Sequence, residues 1–235
     1  EAIGETAVAL QADLADMSAV ESLMPRCIEA LGVPTCLVNN ASRFHYDDIA
    51  GLTQQSWDRH QAINLRAAVF LARAFAHALP EKAKGTIVNI IDQRVLKPTP
   101  HFLSYAVSKS GLWAATQMLA QALAPRIRVN AIGPGPVLRS IHQSEAEFAA
   151  QCQATLLERG TTPAEIAAAV RFILEAPALT GQMLALDGGQ HLAWRTPDAT
   201  GAEGKSVSPP SGRSALATPV TTRGQRRVLV NELAV

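Results

Sequence analysis

The run Ser104-Tyr105-Ala106-Val107-Ser108-Lys109 sets a phenol and an ammonium four residues apart. On a helix that spacing places both on one face, one turn from each other. A phenol ionises near pH 10, so it moves protons poorly near neutrality without help. A neighbouring ammonium can stabilise the phenolate, which builds a general acid for physiological pH. Tyr-x-x-x-Lys is also found in ordinary helices with an exposed lysine, so its surroundings decide. Asp92 lies thirteen positions before the tyrosine, and Asn39-Asn40-Ala41-Ser42 lies further upstream.

Short apolar runs alternate with longer helical stretches on both sides of this motif. Residues 6–11, 35–39, 86–91, 127–131 and 183–186 read as strands. Most are apolar throughout, as parallel strands buried on both faces are. Residues 17–31, 54–79 and 104–123 read as helices, with Thr53 as a cap for the second. A weaker helical segment covers 145–158, and another covers 163–174 with Pro163 suited to its first turn. The alternation predicts an α/β fold with a doubly wound parallel sheet.

From about Thr6 to Leu192 the chain resembles the short-chain dehydrogenase/reductase family, and within it the pteridine reductases. The landmarks are Asp13-Leu14, Asn39-Asn40-Ala41, Asn64 in a long helix, Tyr105 with Lys109, Asn130 to Gly135, and Asp187-Gly188-Gly189. Asp92 stands where most members have a serine. Asn-Asn-Ala-Ser-Arg-Phe stands where most have Asn-Asn-Ala-Gly. Both departures are shared with pteridine reductases.

The resemblance implies a role for each landmark. Tyr105 is the proton donor, and Lys109 lowers its pKa and holds the nicotinamide ribose. Asn64 holds a water in a proton relay; read alone it is a solvent-facing polar residue, although the apolar run around it suits burial. Asp92 ends a strand at the carboxyl edge of the sheet, where ligands bind in such folds. An acid there is also a common turn former. As a site residue it suits a substrate with ring nitrogens and amino groups, and desolvation would help it hold a proton.

Cofactor contacts are implied for Asp13 and Leu14 at the adenine and for Asn39, Asn40 and Ala41 at the ribose and nicotinamide. Pro134, Gly135 and Val137 are implied at the carboxamide. Ser42 is implied to reach the pterin and Phe44 to stack on it, although Phe44 also reads as a loop aromatic on the core. NADPH is the cofactor that pteridine reductases imply. Asp187-Gly188-Gly189 reads as structural. The helices carrying Asn64 and Tyr105 are apolar on more than one face, and the resemblance implies that they assemble a homodimer or homotetramer.

A dinucleotide-binding sheet opens with a strand, a glycine-rich turn and a helix that holds the pyrophosphate. Nothing before Thr6 supplies these, so the expected fold is Rossmann-like without its first strand-turn-helix-strand unit. Residues 1–195 form the domain, 196–225 read as a flexible linker rich in Pro, Gly, Ser and Thr, and 226–235 as a strand-like tail or the start of another domain. The tail faintly resembles the first strand of dihydroneopterin aldolases.

The remaining composition narrows the function. The charge is +1 without a basic stripe, so nucleic acid is not an expected partner. Three widely spaced cysteines show no metal pattern, and a reduced, cytoplasmic protein is expected. No apolar run is long enough to span a membrane. The reading is an NADPH-dependent dihydropteridine reductase. The alternatives are a short-chain reductase of 3-oxoacyl-type carbonyls and a non-catalytic fragment that keeps only its oligomer interface.

Overall fold

A computed structural model describes residues 7–141, 143–193 and 228–231. Five parallel strands form one sheet: β1 (Cys36–Asn39), β2 (Gly85–Ile90), β3 (Ile127–Pro134), β4 (Met183–Leu186) and β5 (Val228–Asn231). Their order is β4-β3-β2-β1-β5. The linker at 196–225 lies outside the described residues.

Strand alternation divides the core between the two faces. Leu37, Ile87, Ile127 and Val129 point to the side covered by α1 (Met17–Leu31) and α3 (Ala67–Ala78). Cys36, Val38, Val88 and Ile132 point to the other side, where Ala169 and Ile173 of α6 (Pro163–Glu175) pack. This follows from the period-two geometry of strands, and it makes the sheet doubly wound as expected. Phe75 and Leu71 of α3 are fully buried on the first face. Each such side chain contributes about 1.5–3 kcal/mol relative to exposure.

Local chemistry sets the helix ends. Thr53 caps α2 (Gln54–His60) through Ser56 N, as expected, and Asp16 caps α1 through Ser18 N. Ser144 opens α5 (Glu145–Gln153) and Thr162 opens α6, each with a reciprocal glutamate three residues on. Pro163 sits in the first turn of α6, where its missing N–H costs nothing. The long helix expected over 54–79 is continuous from Gln54 to Ala78, but Gln61–Arg66 has π-helical winding. A π-turn often marks a functional position, and this one contains Asn64.

The expected strand at residues 6–11 is not observed among the described residues 7–11. A strand exists only beside a partner, and the edge of β1 that faces away from β2 is taken by β5. Cys36 to Asn39 pair in register with Val228 to Asn231. Residues 7–11 instead follow the surface, where Arg26 Nη1 donates to the Gln11 carbonyl at 3.0 Å.

Candidate active site

β2 ends at Ile90, and the chain leaves the sheet's carboxyl edge through Ile91 and Asp92. Asp92 caps the short turn Gln93–Val95 by accepting from Arg94 N at 2.8 Å. Its other oxygen accepts from the Tyr105 hydroxyl at 2.8 Å. The Arg94 guanidinium also reaches it, at 3.4 Å. Tyr105 and Lys109 both lie in α4 (Leu103–Leu123) and are buried.

Lys109 Nζ donates to the Ile90 carbonyl at 2.8 Å and sits 5.8 Å from the Tyr105 ring centroid. Burial pulls its pKa down to about 8, with Asp92 opposing. Tyr105 moves the other way. Burial, the charge of Asp92 and the hydrogen bond to it push the phenol well above its ordinary pKa. The expectation that Lys109 lowers the Tyr105 pKa is thus not met in this arrangement. The ammonium gives one hydrogen bond to a main-chain carbonyl, while the phenol donates to a carboxylate. Tyr105 therefore holds its proton firmly.

Asn64 is buried at 1% exposure, so the solvent-facing reading is excluded. Its Oδ1 accepts from Arg43 N at 2.7 Å, and its Nδ2 donates to the Arg43 carbonyl and to Ser108 Oγ, each at 3.0 Å. Ser108 in turn donates to the Tyr105 carbonyl at 2.6 Å. Asn64 thereby fastens the 40–53 loop to α4. It has no recorded bond to Lys109.

The loop after β1 carries the residues expected at the substrate. Ser42 Oγ is buried without a partner. Such an orphaned hydroxyl fits a site that a ligand completes. Phe44 stacks on Phe102 at 4.3 Å with an interplanar angle of 11° and meets Tyr105 edge-on at 4.7 Å. Arg94 lies 5.5 Å from the Phe44 ring. Phe44 therefore packs beside Tyr105, with one face already covered by Phe102. Beside these rings lies a cavity of about 460 Å³ whose lining includes Tyr46, Gln93, Arg94, His101 and Phe102.

The other expected cofactor residues are scattered in environment. Asn40 and Ala41 lie at the half-buried carboxyl end of β1. The Asn39 amide is committed to Asn89 at 2.8 Å, and Asn89 continues to Thr116 at 2.8 Å, a buried ladder between β1, β2 and α4. Asp13 is exposed, holding Ala15 N at 2.9 Å, while the Leu14 side chain is in the core. Pro134 ends β3, and Gly135 N donates to Leu186 at 3.0 Å. A Cβ on Gly135 would stand 2.7 Å from Asp187 Cα, so glycine is required there for packing. Val137 is half-buried. Asp187 itself accepts from Gly189 N and His191 N, which supports the structural reading of that turn.

A nicotinamide cofactor fits part of this site. The ammonium of Lys109 has donors beyond its one recorded bond, and Ser42 Oγ is unpartnered. The described residues contain no glycine-rich strand-to-helix turn for a pyrophosphate. Sequence reading missed Arg94, Phe102, Asp47 and His60. The position of Arg94 two residues after Asp92 was the one local hint, and the others depend on tertiary packing.

Residues 1–191 match the family model described as enoyl-(acyl carrier protein) reductase. The chain belongs to the short-chain dehydrogenase/reductase family, a class of oxidoreductases. Among curated relatives, 3beta-hydroxysteroid dehydrogenase 1 of Eggerthella lenta is 33% identical over 201 residues, covering 82% of this chain and 77% of the relative. Among solved structures, FolM alternative dihydrofolate reductase 1 of Brucella canis, complexed with NADP, is 48% identical with a TM-score of 0.76. The match covers 81% of this chain and 75% of that one. The Brucella suis protein of the same name, also with NADP, is 50% identical with a TM-score of 0.78, covering 80% and 76%.

Proposed function

We propose that this chain is an NADPH-dependent reductase of dihydropteridines, acting on dihydromonapterin-, dihydrobiopterin- or dihydrofolate-like rings. The observation that carries the proposal is the 2.8 Å hydrogen bond from the Tyr105 hydroxyl to Asp92. An ordinary carbonyl reductase needs only hydroxyl donors at that edge. Here a carboxylate adds an acceptor, which suits a ring that presents N–H groups. The likeness to two NADP-bound alternative dihydrofolate reductases supports the same substrate class and cofactor.

When bound, the cofactor supplies a hydride to the carbon of the ring C=N bond. The ring nitrogen then becomes far more basic than a phenolate. Tyr105 therefore gives up its proton despite its raised pKa, and the Lys109 ammonium is one turn away to stabilise the phenolate left behind. Asp92 orients the ring by accepting from its N–H groups, and Ser42 Oγ supplies a further polar contact. Phe44 and Phe102 form the aromatic wall, where a flat ring gains about 0.5–1.5 kcal/mol from stacking beyond its burial. Asn40, Ala41 and the main chain from Pro134 to Val137 are proposed to border the nicotinamide, with Asp13 and Leu14 toward the adenine.

Self-association through the helices that carry Asn64 and Tyr105 belongs to the same proposal. Val107 and Met118 of α4 are exposed apolar residues. Light scattering on purified protein would show a dimer or tetramer.

The test follows NADPH oxidation with 7,8-dihydrobiopterin, dihydrofolate and a 3-oxoacyl thioester. Preference for a dihydropteridine is expected. Turnover of the thioester alone would replace this reading with the carbonyl one.

A further inference from the structure

Tyr105 is the third residue of α4, and the start of that helix is unusual. The N-cap position is Phe102, whose φ of 58° is left-handed and whose side chain cannot accept a hydrogen bond. The first N–H groups of a helix have no partners within it and need acceptors from elsewhere. They find them in Asp47, from the loop between β1 and α2. Leu103 N donates to the Asp47 carbonyl at 3.2 Å, and Ser104 N donates to Asp47 Oδ1 at 3.0 Å. A carboxylate is well placed at this positive end of a helix.

The same carboxylate anchors a buried chain of hydrogen bonds. Ser104 Oγ bonds to Asp47 Oδ2, and Ser56 Oγ donates to that oxygen at 2.8 Å. His60 Nδ1 lies 2.6 Å from Ser104 Oγ and 3.0 Å from the Ser56 carbonyl, while its Nε2 accepts from His45 N at 3.3 Å. The directions are mutually consistent. A backbone N–H on Nε2 puts the imidazole proton on Nδ1, which donates to Ser104, which donates to Asp47. His60, Ser104 and Asp47 are at most 4% exposed. Ser-His-Asp in this order is not a nucleophilic triad, because the serine gives its proton to the carboxylate and accepts from the imidazole. It is also closed to solvent.

We propose that Asp47 is a positioning residue of the active site, capping α4 from the substrate loop and holding Tyr105 in reach of Asp92. The assignment rests on the reading of Tyr105 as proton donor. Two links converge on the same geometry. Asp47 fixes the residue just before Tyr105, and it lies three residues after Phe44, whose ring packs edge-on against Tyr105 at 4.7 Å. The His60 ring stands 6.3 Å from the Tyr105 ring, so the network backs the phenol directly. Removing the carboxylate releases the first turn of the helix and the aromatic wall together.

The chain has two tyrosines, Tyr46 and Tyr105, which makes a spectroscopic test clean. In a Tyr46→Phe background, ultraviolet difference absorbance reports Tyr105 alone. With Asp47 intact, burial and Asp92 keep Tyr105 protonated through the range near pH 10 where an ordinary phenol ionises. With Asp47→Ala added, ionisation within that range is expected, because the phenol leaves its buried contact. Asp47→Asn retains an oxygen for Ser104 N and is expected to behave between the two. Circular dichroism selects folded variants, and Ser104→Ala serves if Asp47→Ala does not fold. In turnover of a dihydropteridine, Asp47→Ala should lower kcat by up to about 100-fold with the KM for NADPH unchanged. Asp47→Asn should restore most of the rate. An unshifted Tyr105 titration in folded Asp47→Ala protein overturns the proposal, and so does an unchanged kcat. A wild-type protein that turns over no dihydropteridine, yet shows the titration shift, sinks the functional reading and leaves Asp47 as the anchor of Tyr105.

Discussion

The Tyr105 hydroxyl donates to Asp92 Oδ2 at 2.8 Å across the carboxyl edge of the sheet. The bond ties the turn after β2 to the first turn of α4 and places a held proton beside an acceptor. A substrate ring that enters here meets both groups at once. Tyr105→Phe removes the proton and leaves the wall intact. It should lower kcat by about 10²–10⁴-fold, the range for losing a general acid. Dihydropteridine affinity, measured by tryptophan fluorescence quenching, should change little. A rate near wild type would remove Tyr105 from the reaction.

Asp92→Ser restores the residue commonest in the family. A pteridine N–H then loses its acceptor in a buried site, at a cost of about 1–3 kcal/mol. A simple ketone makes no use of that acceptor. The expected outcome is a much larger loss of kcat/KM for dihydropteridine than for any ketone accepted. Equal losses on both would count against the pteridine assignment. Arg94 complicates the variant, because it loses its own 3.4 Å partner. An Arg94→Leu control separates the two effects.

The sequence periods were sufficient to read the sheet's helices and four of its strands, because Leu37, Ile87 and Val129 alternate cleanly with residues that face α6. They failed at residues 7–11. An apolar run there has strand composition, but pairing is a tertiary property, and the edge of β1 is occupied by β5. Tyr105, Lys109 and Asp92 were visible because a motif fixes their spacing. Asp47 and His60 were not, since their role depends on a helix that begins at a residue unable to cap itself. The direction of the Tyr105 pKa was also beyond the sequence. It depends on which partner the phenol reaches first, and that partner is Asp92 rather than Lys109.

Lys109 ties stability and activity to pH in opposite senses. Its folded pKa is about 8, below the ordinary lysine value. Between about 8 and about 10.4 the unfolded chain therefore binds the extra proton. Stability from this group rises with pH through that window, as the cost of a buried ammonium disappears. The charge available to a ribose or phenolate is lost over the same range in the free enzyme. Thermal melts should show Lys109→Met losing the wild-type gain in Tm above pH 8, while wild-type kcat/KM falls there. A wild-type Tm that drops relative to Lys109→Met across this window would contradict the buried ammonium.

Gly135 tests the packing beneath the proposed cofactor strand end. Its added Cβ would meet Asp187 Cα at 2.7 Å and Asp187 Cβ at 2.8 Å, both on a buried turn that cannot swing aside. Gly135→Ala should cost about 1–3 kcal/mol, the range for overpacking a closed site. Urea melts followed by tryptophan fluorescence would show a lower midpoint at an unchanged slope. Gly51→Ala is the control, since its nearest contact is a side-chain oxygen at 3.4 Å. Equal stability of the two variants would show that the β3–β4 end yields more than its geometry indicates.

The pairing of β5 with β1 gives the last prediction. Cys36 to Asn39 are buried, and their outer edge is satisfied by Val228 to Asn231. Deleting residues 226–235 should uncover that row of N–H and C=O groups. An uncovered strand edge recruits other chains. The shortened protein should therefore melt at a lower temperature, exchange the amides of Cys36 and Val38 faster, and aggregate at concentrations where the whole chain stays dispersed. Adding back a synthetic peptide of residues 226–235 should restore protection at those two amides specifically. Unchanged exchange at Cys36 and Val38 after the deletion would mean that β5 does not hold this edge in solution.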